Sequence, residues 1–444
     1  MTKFFPIIQH HHADQPLAYR DGLAISAARF VADVRALARS LPEHRYVINL
    51  CGDRYQFAVG LSAALLRGQI SLLPPNHTPA LIADLKVDYA DLYGLTDSAL
   101  NEINLETFSF PELQVTEMGD FAVPNVSAEQ VVAHVFTSGS TGKPLPQIKT
   151  WGGLARGAAA QAERLAIAMH SATTLVGTVP AQHMYGLESS LILALQNGLS
   201  FYVGRPFYPE DIRAALAGLP GDRVLVTTPF HLRALLSSEQ PLPQLARLLC
   251  ATAPLPLELA KLAETRLNVE LQEVYGFTEA GQVATRRTVD GPVWHTYRDV
   301  RVYERGDAYY AHGGAVEREA KFQDLIEFID AEHFTLQGRS ADLINIAGKR
   351  TSLANLNYHL NAIAGVTDGM FYLPDEQPYR VTRLMAFVVA PGMTQDALSA
   401  ALRLRLDAAF LPRPIYFLDA LPRNATGKLP RETLEALVLR LRGE

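Results

Sequence analysis

The run Thr137-Ser138-Gly139-Ser140-Thr141-Gly142-Lys143-Pro144 follows the apolar segment Val131–Phe136. Its glycines let the backbone fold tightly around an anion, its hydroxyls donate hydrogen bonds to phosphate oxygens, and Lys143 adds positive charge. The composition is that of a phosphate loop. It departs from the G-x-x-x-x-G-K-[ST] pattern, because Thr137 stands where the first glycine belongs and Pro144 follows the lysine. A P-loop kinase or GTPase is therefore disfavoured, and on this segment alone a plain surface turn stays open.

Further segments follow in order: Leu249-Cys250-Ala251-Thr252-Ala253-Pro254-Leu255, then Val274-Tyr275-Gly276-Phe277-Thr278-Glu279, then Asp324 and Arg339 at a separation of fifteen. Beyond them come Ile346-Ala347-Gly348-Lys349-Arg350, Gly365-Val366-Thr367-Asp368 and Leu421-Pro422-Arg423-Asn424-Ala425-Thr426-Gly427-Lys428. With the loop, this series resembles the adenylate-forming superfamily of acyl-CoA synthetases, nonribosomal peptide adenylation domains and luciferases. The match is close from Val131 onward and one of pattern only before it.

That resemblance implies roles. Thr137 to Lys143 hold the ATP phosphates; Thr252, Ala253, Pro254 and Tyr275 face adenine; Asp324 and Arg339 hold the ribose. Thr278 touches the α-phosphate, Glu279 holds Mg²⁺, and Lys428 is the catalytic lysine. Ala341 and Asp342 form the hinge, and Gly348, Lys349 and Arg350 lie on the thiol side. The chemistry suits the roles: a carboxylate is the hard oxygen ligand magnesium prefers beside a triphosphate, and an aspartate accepts from vicinal hydroxyls. Three departures stand out. Leu145 replaces the lysine usual after the loop proline, although Lys149 follows; Ala341 stands where a charged hinge residue is usual; and the glutamate-bearing strand before the ribose aspartate is not recognisable.

These groups need a scaffold. Helical and strand patterns alternate over Ile25–Leu41, Tyr46–Cys51, Asp53–Arg67 and Ile70–Leu73, and again from Leu175–Val179 to Leu248–Ala251. Such alternation predicts parallel βαβ units. A polar, aromatic stretch, Arg286–Lys321, breaks the rhythm and predicts antiparallel strands. After Asp342 the pattern restarts with helix Leu353–Ala364 and ends in helix Arg431–Arg442, enough for a second domain. The expected fold is α/β, with a large N-terminal domain of βαβ layers, residues 1–339, and a small mobile C-terminal α+β lid, residues 340–444, carrying Lys428.

With 48% hydrophobic and 19% charged residues the chain is suited to a compact core, and a net charge of −6 disfavours a nucleic-acid partner. No apolar run approaches the length of a membrane span, so a cytoplasmic location is expected. Cys51 and Cys250 lie in apolar runs and read as buried small hydrophobes, not as disulfide partners or metal ligands. His10-His11-His12 reads as a solvated N-terminal loop.

The implied reaction is ATP- and Mg²⁺-dependent activation of a carboxylic acid to an acyl-AMP, followed by transfer to a thiol, of CoA or of phosphopantetheine. Pro180-Ala181-Gln182-His183-Met184-Tyr185-Gly186 resembles the acid-pocket segment, which puts His183, Met184, Gly186 and Phe277 in the pocket with Leu187 beside them; His183 also has a reading as a structural histidine. Apolar walls suit an aromatic or medium-length acyl group. Among subfamilies the chain is most similar to the short AMP-ligases of aryl polyene pigment synthesis, which implies hydroxybenzoate-type acids and an acyl carrier protein as acceptor. The last 103 residues carry twelve Lys/Arg against ten Asp/Glu and the first 341 carry 28 against 36, so the small domain is the basic one. A fatty or aryl acyl-CoA synthetase and a catalytically degenerate nucleotide scaffold are the alternatives.

Overall fold

The computed structural model describes residues 3–98, 104–113, 121–138, 144–238, 240–252, 255, 257–306, 308–339, 343–346, 349–361, 363–374, 383–422 and 431–442. Two large sheets dominate the chain up to Arg339. One has six strands, with Tyr46–Asn49, Ile70–Leu73, Leu92–Thr96 and Val131–Ser138 running parallel and the hairpin partner Pro144–Thr150 at its edge. The other has eleven, and its parallel centre runs through Thr173–Gly177, Asp222–Thr227, Arg247–Cys250 and Leu271–Phe277. Leu92–Thr96 and Thr173–Gly177 are buried at every position, as strands covered on both faces must be.

Helices fill the space between. Arg54–Leu66, apolar nearly all round, is buried on almost every residue, whereas Ala27–Ser40 shows one buried stripe. Both begin at a polar cap: the Ser26 hydroxyl accepts from the Arg29 amide and the Asp53 carboxylate from the Gln56 amide. One continuous core joins both sheets, uniting Val47, Leu73 and Leu95 with Leu175, Val226 and Leu249 through Phe30, Phe57, Trp151 and Leu191.

The polar, aromatic stretch does form antiparallel strands, Arg301–Arg305, Ala308–Gly313 and Val316–Lys321, as a separate sheet. Cys51 and Cys250 are buried, and desolvation pushes both thiols far above their usual range. The histidine triplet is corrected: His11 and His12 are exposed, but His10 is buried with its Nε2 bonded to the Leu199 carbonyl at 3.1 Å. Among the described residues no helix is long and apolar enough to cross a membrane.

Beyond residue 343 the chain builds its own sheet, in which Met385–Val389 pairs antiparallel with Asp368–Tyr372 and parallel with Ile415–Phe417. Helices Leu353–Asn361 and Gln395–Arg403 cover one face over Phe371, Val388 and Leu402; helix Arg431–Arg442 covers the other with Leu434, Leu437 and Val438 against Tyr372 and Phe387. This unit touches the start of helix Pro79–Asp88, where the Ala80 amide donates to the Leu404 carbonyl.

Candidate active site

The phosphate-loop segment is the turn of a hairpin. Strand Val131–Ser138 runs two residues further than its apolar pattern, and Ser138 pairs with Pro144 and Thr137 with Leu145 across the antiparallel register. Gly139, Ser140, Thr141, Gly142 and Lys143 lie outside the described residues. On the return strand Leu145 is 53% exposed, so the side chain in the place of the usual lysine faces solvent. Lys149 does not substitute for it. It is buried at the far end of the strand, and its ammonium donates to the Glu279 carbonyl at 3.1 Å. Burial lowers its pKa, opposed by Glu188, Glu279 and Glu317 around it.

That bond ties the loop hairpin to a second one, in which Leu271–Phe277 turns through Thr278, Glu279 and Ala280 into Gly281–Arg286. The turn is tight: the Ala280 amide donates to the Phe277 carbonyl at 3.0 Å, and Gly281 adopts φ +83°, a left-handed conformation that glycine enters freely. Thr278 and Glu279 are half-buried at its tip. Among the described residues no group of three or more His, Cys, Asp or Glu is placed to hold a metal ion. A lone carboxylate on a fixed turn fits Mg²⁺, which takes one or two carboxylates and completes its shell with phosphate and water.

The adenine segment follows strand Arg247–Cys250. Thr252 has φ +82°, a conformation that costs a β-branched residue about 1–3 kcal/mol and marks the turn as held by its surroundings. One tether is visible just beyond: the Leu255 amide donates to Glu273 at 3.2 Å, and that buried carboxylate also takes Arg286 Nε at 2.7 Å and the Thr288 hydroxyl at 2.9 Å. Ala253 and Pro254 lie outside the described residues. Two residues after Glu273, Tyr275 is packed among Phe322, Trp294 and Phe334, and its hydroxyl donates to Asp324 Oδ2 at 2.8 Å. Asp324 is 8% exposed and directly opposite Arg339 in the antiparallel register. The adenine and ribose candidates therefore share one patch of sheet.

For the acid pocket, His183 is half-buried and precedes a short helical turn Met184–Gly186, which runs into a π-helical turn, Leu187–Ile192. Met184 and Phe277 are nearly buried. Leu187, expected beside the pocket, is fully buried in the main core. The sequence reading missed Glu188. Its carboxyl lies against Gly281, and desolvation pushes its pKa up to about 7 despite Lys149 and the Gln282 amide. A lone charged residue between Met184 and Asn197 was the signal available.

Gly186 sits so close to the preceding loop that a Cβ there would lie 2.0 Å from the Pro180 carbonyl oxygen. Replacing glycine by alanine in a helix stabilises through the unfolded state by roughly 0.4–1 kcal/mol, but a collision with backbone costs about 1–3 kcal/mol. Gly186→Ala is thus expected to be destabilised overall and to lose acid affinity, read as a lower urea midpoint and a raised KM for the acid. A midpoint equal to the parent's would show that the loop has slack.

In the C-terminal unit Lys349 pairs with Asp407 at 2.5 Å, beside His77 in the loop after strand Ile70–Leu73, whose pKa burial and Lys349 lower to about 4. Arg350 follows Lys349 on strand Lys349–Ser352. Ala341, Asp342, Gly348 and Lys428 lie outside the described residues. The structure thus brings together Thr278, Glu279, Tyr275, Asp324, Met184 and Phe277 with the hairpin bearing the phosphate loop, and strand Lys349–Ser352 touches strand Val131–Ser138 of that hairpin.

Residues 23–303 match the family model for AMP-binding enzyme. The chain is similar to the 4-coumarate–CoA ligase of Rhodobacter capsulatus, 29% identical over 70% of this chain and 78% of that protein. It is also similar to a 2-succinylbenzoate–CoA ligase of Bacillus cereus, 23% identical over 89% of this chain and 92% of that protein. Among solved structures, o-succinylbenzoate CoA synthetase of Bacillus subtilis bound to a CoA product analogue superposes with TM-score 0.82 at 18% identity, covering 98% of this chain and 99% of the other. The same synthetase with its acyl-adenylate gives TM-score 0.65 at 19% identity, covering 95% of each.

Proposed function

The chain belongs to the AMP-binding enzyme family, and from that premise we propose that it activates an aromatic, hydroxybenzoate-type acid as its adenylate and passes the acyl group to the phosphopantetheine thiol of an acyl carrier protein. At the coarser level it is an AMP-forming acid ligase using ATP. The observation that carries the reading is the Lys149–Glu279 bond, which fixes the phosphate-loop hairpin against the Thr278–Glu279 turn above Tyr275 and Asp324. The named acids of the two relatives, 4-coumarate and 2-succinylbenzoate, both carry an aromatic ring, which supports an aromatic substrate.

In this reading the acid's carboxylate oxygen attacks the α-phosphorus and pyrophosphate leaves. The loop hydroxyls, Thr278 and Lys428 face the α-phosphate, where negative charge develops, and their fixed orientation spares the reorganisation that water would need. Glu279 would hold Mg²⁺, which when bound would neutralise charge at the phosphates. Tyr275, Thr252, Ala253 and Pro254 hold adenine, and Asp324 and Arg339 hold ribose. The thiol then attacks the acyl carbonyl and AMP leaves. Residues 340–444 act as a lid that changes seat between the two steps about Ala341 and Asp342. Better superposition on the CoA-analogue complex than on the adenylate complex of one synthetase supports such a lid. Gly348, Lys349 and Arg350 then lie on the thiol side.

The acceptor rests on charge. Arg403 and Arg440 are exposed on the basic C-terminal unit, and carrier proteins are usually acidic, so complementary potentials would speed encounter and set orientation. Free CoA is the second reading, favoured by relatives named as CoA ligases. Offered holo carrier protein and CoA together after pyrophosphate release has identified the acid, the enzyme is expected to load the carrier, several-fold less at high salt. Rapid acyl-CoA formation with every carrier unmodified would give the acceptor to CoA.

A further inference from the structure

A half-buried carboxylate and a buried ammonium lie near one another where the apolar acid pocket meets the catalytic turn. Glu188 stands one turn after Met184, on the π-helical stretch, and Lys149 comes from the phosphate-loop hairpin. A Cβ on Gly281 would lie 2.8 Å from Glu188 Oε1 and 3.7 Å from the Met184 methyl, so the carboxylate and the thioether converge on the one residue without a side chain. Gly281 is also the register partner of Phe277. Glu188 therefore borders the Met184 side of the proposed acid pocket, and a π-helical turn in a helix is a recurrent sign of a functional site.

Isolated ions in such surroundings cost several kcal/mol each, and a purely structural pair is commonly replaceable by apolar residues without loss. The partners already assigned do not exhaust Glu188. A carboxylate offers about four acceptor positions. The Gln282 amide takes one, and Lys149, whose ammonium donates to the Glu279 carbonyl, supplies charge nearby. Behind it Ser189, Gln161 and Gln282 bond to one another, and Gln161 also bonds Tyr297. What remains open faces the Met184, Phe277 and Gly281 side. With Lys149 already supplying the cation, a neutral donor suits this place better than an ammonium.

We propose that Glu188, beside Met184 and Gly281, is the specificity-determining residue that accepts a hydrogen bond from a hydroxyl on the acid substrate, selecting hydroxylated aromatic acids over their unsubstituted counterparts. This rests on the acid-activating reading above. A site built to bond a hydroxyl rejects the analogue lacking it far more strongly than an apolar pocket rejects an added group, because its own polar atoms are left unpaired.

The test is pyrophosphate release by the full chain over paired acids: the hydroxybenzoates and hydroxycinnamates against benzoate and cinnamate. The expected kcat/KM ratio, best hydroxylated acid over its unsubstituted partner, is at least about tenfold in the parent. It should fall towards one in Glu188→Leu and to an intermediate value in Glu188→Gln, which keeps an acceptor oxygen. A structural role would lower both members of a pair together and leave the ratio unmoved. Should the leucine variant fail to fold, the glutamine variant reads the same ratio. A parent ratio near one, or a ratio equal in parent and both variants, overturns the proposal while leaving acid activation standing; a parent that turns over only long-chain fatty acids overturns the aromatic reading as well.

Discussion

Lys428→Ala is expected to slow acid-dependent ATP–pyrophosphate exchange by about 10²–10³, the usual effect of removing one preorganised contact to a charge that develops in the transition state. ATP binding should survive, because Tyr275, Asp324 and the two joined hairpins all belong to the chain before residue 340. The third observable separates lost chemistry from misfolding. Acyl transfer from a supplied acyl-adenylate to the thiol does not need a group bridging carboxylate and α-phosphate, so it should keep most of its rate. Exchange at the parent's rate would falsify the lysine's role. Loss of all three activities would instead place Lys428 in the fold of the C-terminal unit.

How much of this could be read in the residues depends on the range of the interaction. The alternation of Tyr46–Asn49, Arg54–Leu66 and Ile70–Leu73 was legible because each element's periodicity is local, and Arg431–Arg442 begins and ends as expected. Strand Pro16–Arg20 was not identified: it closes the eleven-stranded sheet by pairing with Ser200–Tyr202, far away in sequence, and five residues carry little pattern. His10 illustrates the same limit, since its acceptor is the Leu199 carbonyl. Composition marks the triplet as polar, and only the fold reveals that one member is buried.

At the site, the chemistry-bearing types could be found from their spacing, but their couplings could not. Lys149 was visible as a lysine near the loop, and its spacing left open whether it replaces the lysine missing at Leu145. In the fold Leu145 and Lys149 share one face of strand Pro144–Thr150, but the end that carries Lys149 is covered by the Glu279 turn while Leu145 faces solvent. Glu188 was hidden for a different reason. Its neighbours Leu187, Leu191 and Ile192 are core residues, and a single acid among them acquires meaning only once Gly281 and Lys149 are brought beside it from two other elements.

Asp324→Ala is expected to raise the KM for ATP by roughly 10²-fold while moving the KM for the acid far less. The magnitude follows from the bonds at stake: hydrogen bonds to a charged group contribute about 1.5–3 kcal/mol each, and an aspartate serving vicinal hydroxyls makes two. Part of the change is structural, because Tyr275 loses the acceptor of its hydroxyl at 2.8 Å and a buried donor left without one costs about 1–3 kcal/mol. Tyr275→Phe separates the two contributions. It removes the same hydrogen bond but keeps the carboxylate beside strand His333–Arg339, so its effect on ATP affinity should be much the smaller. Calorimetry with ATP on both variants decides between ribose recognition and support of the tyrosine. If the two substitutions weaken ATP equally, Asp324 acts through Tyr275; if neither weakens it, the ribose lies elsewhere and the pairing of Asp324 with Arg339 serves only the sheet.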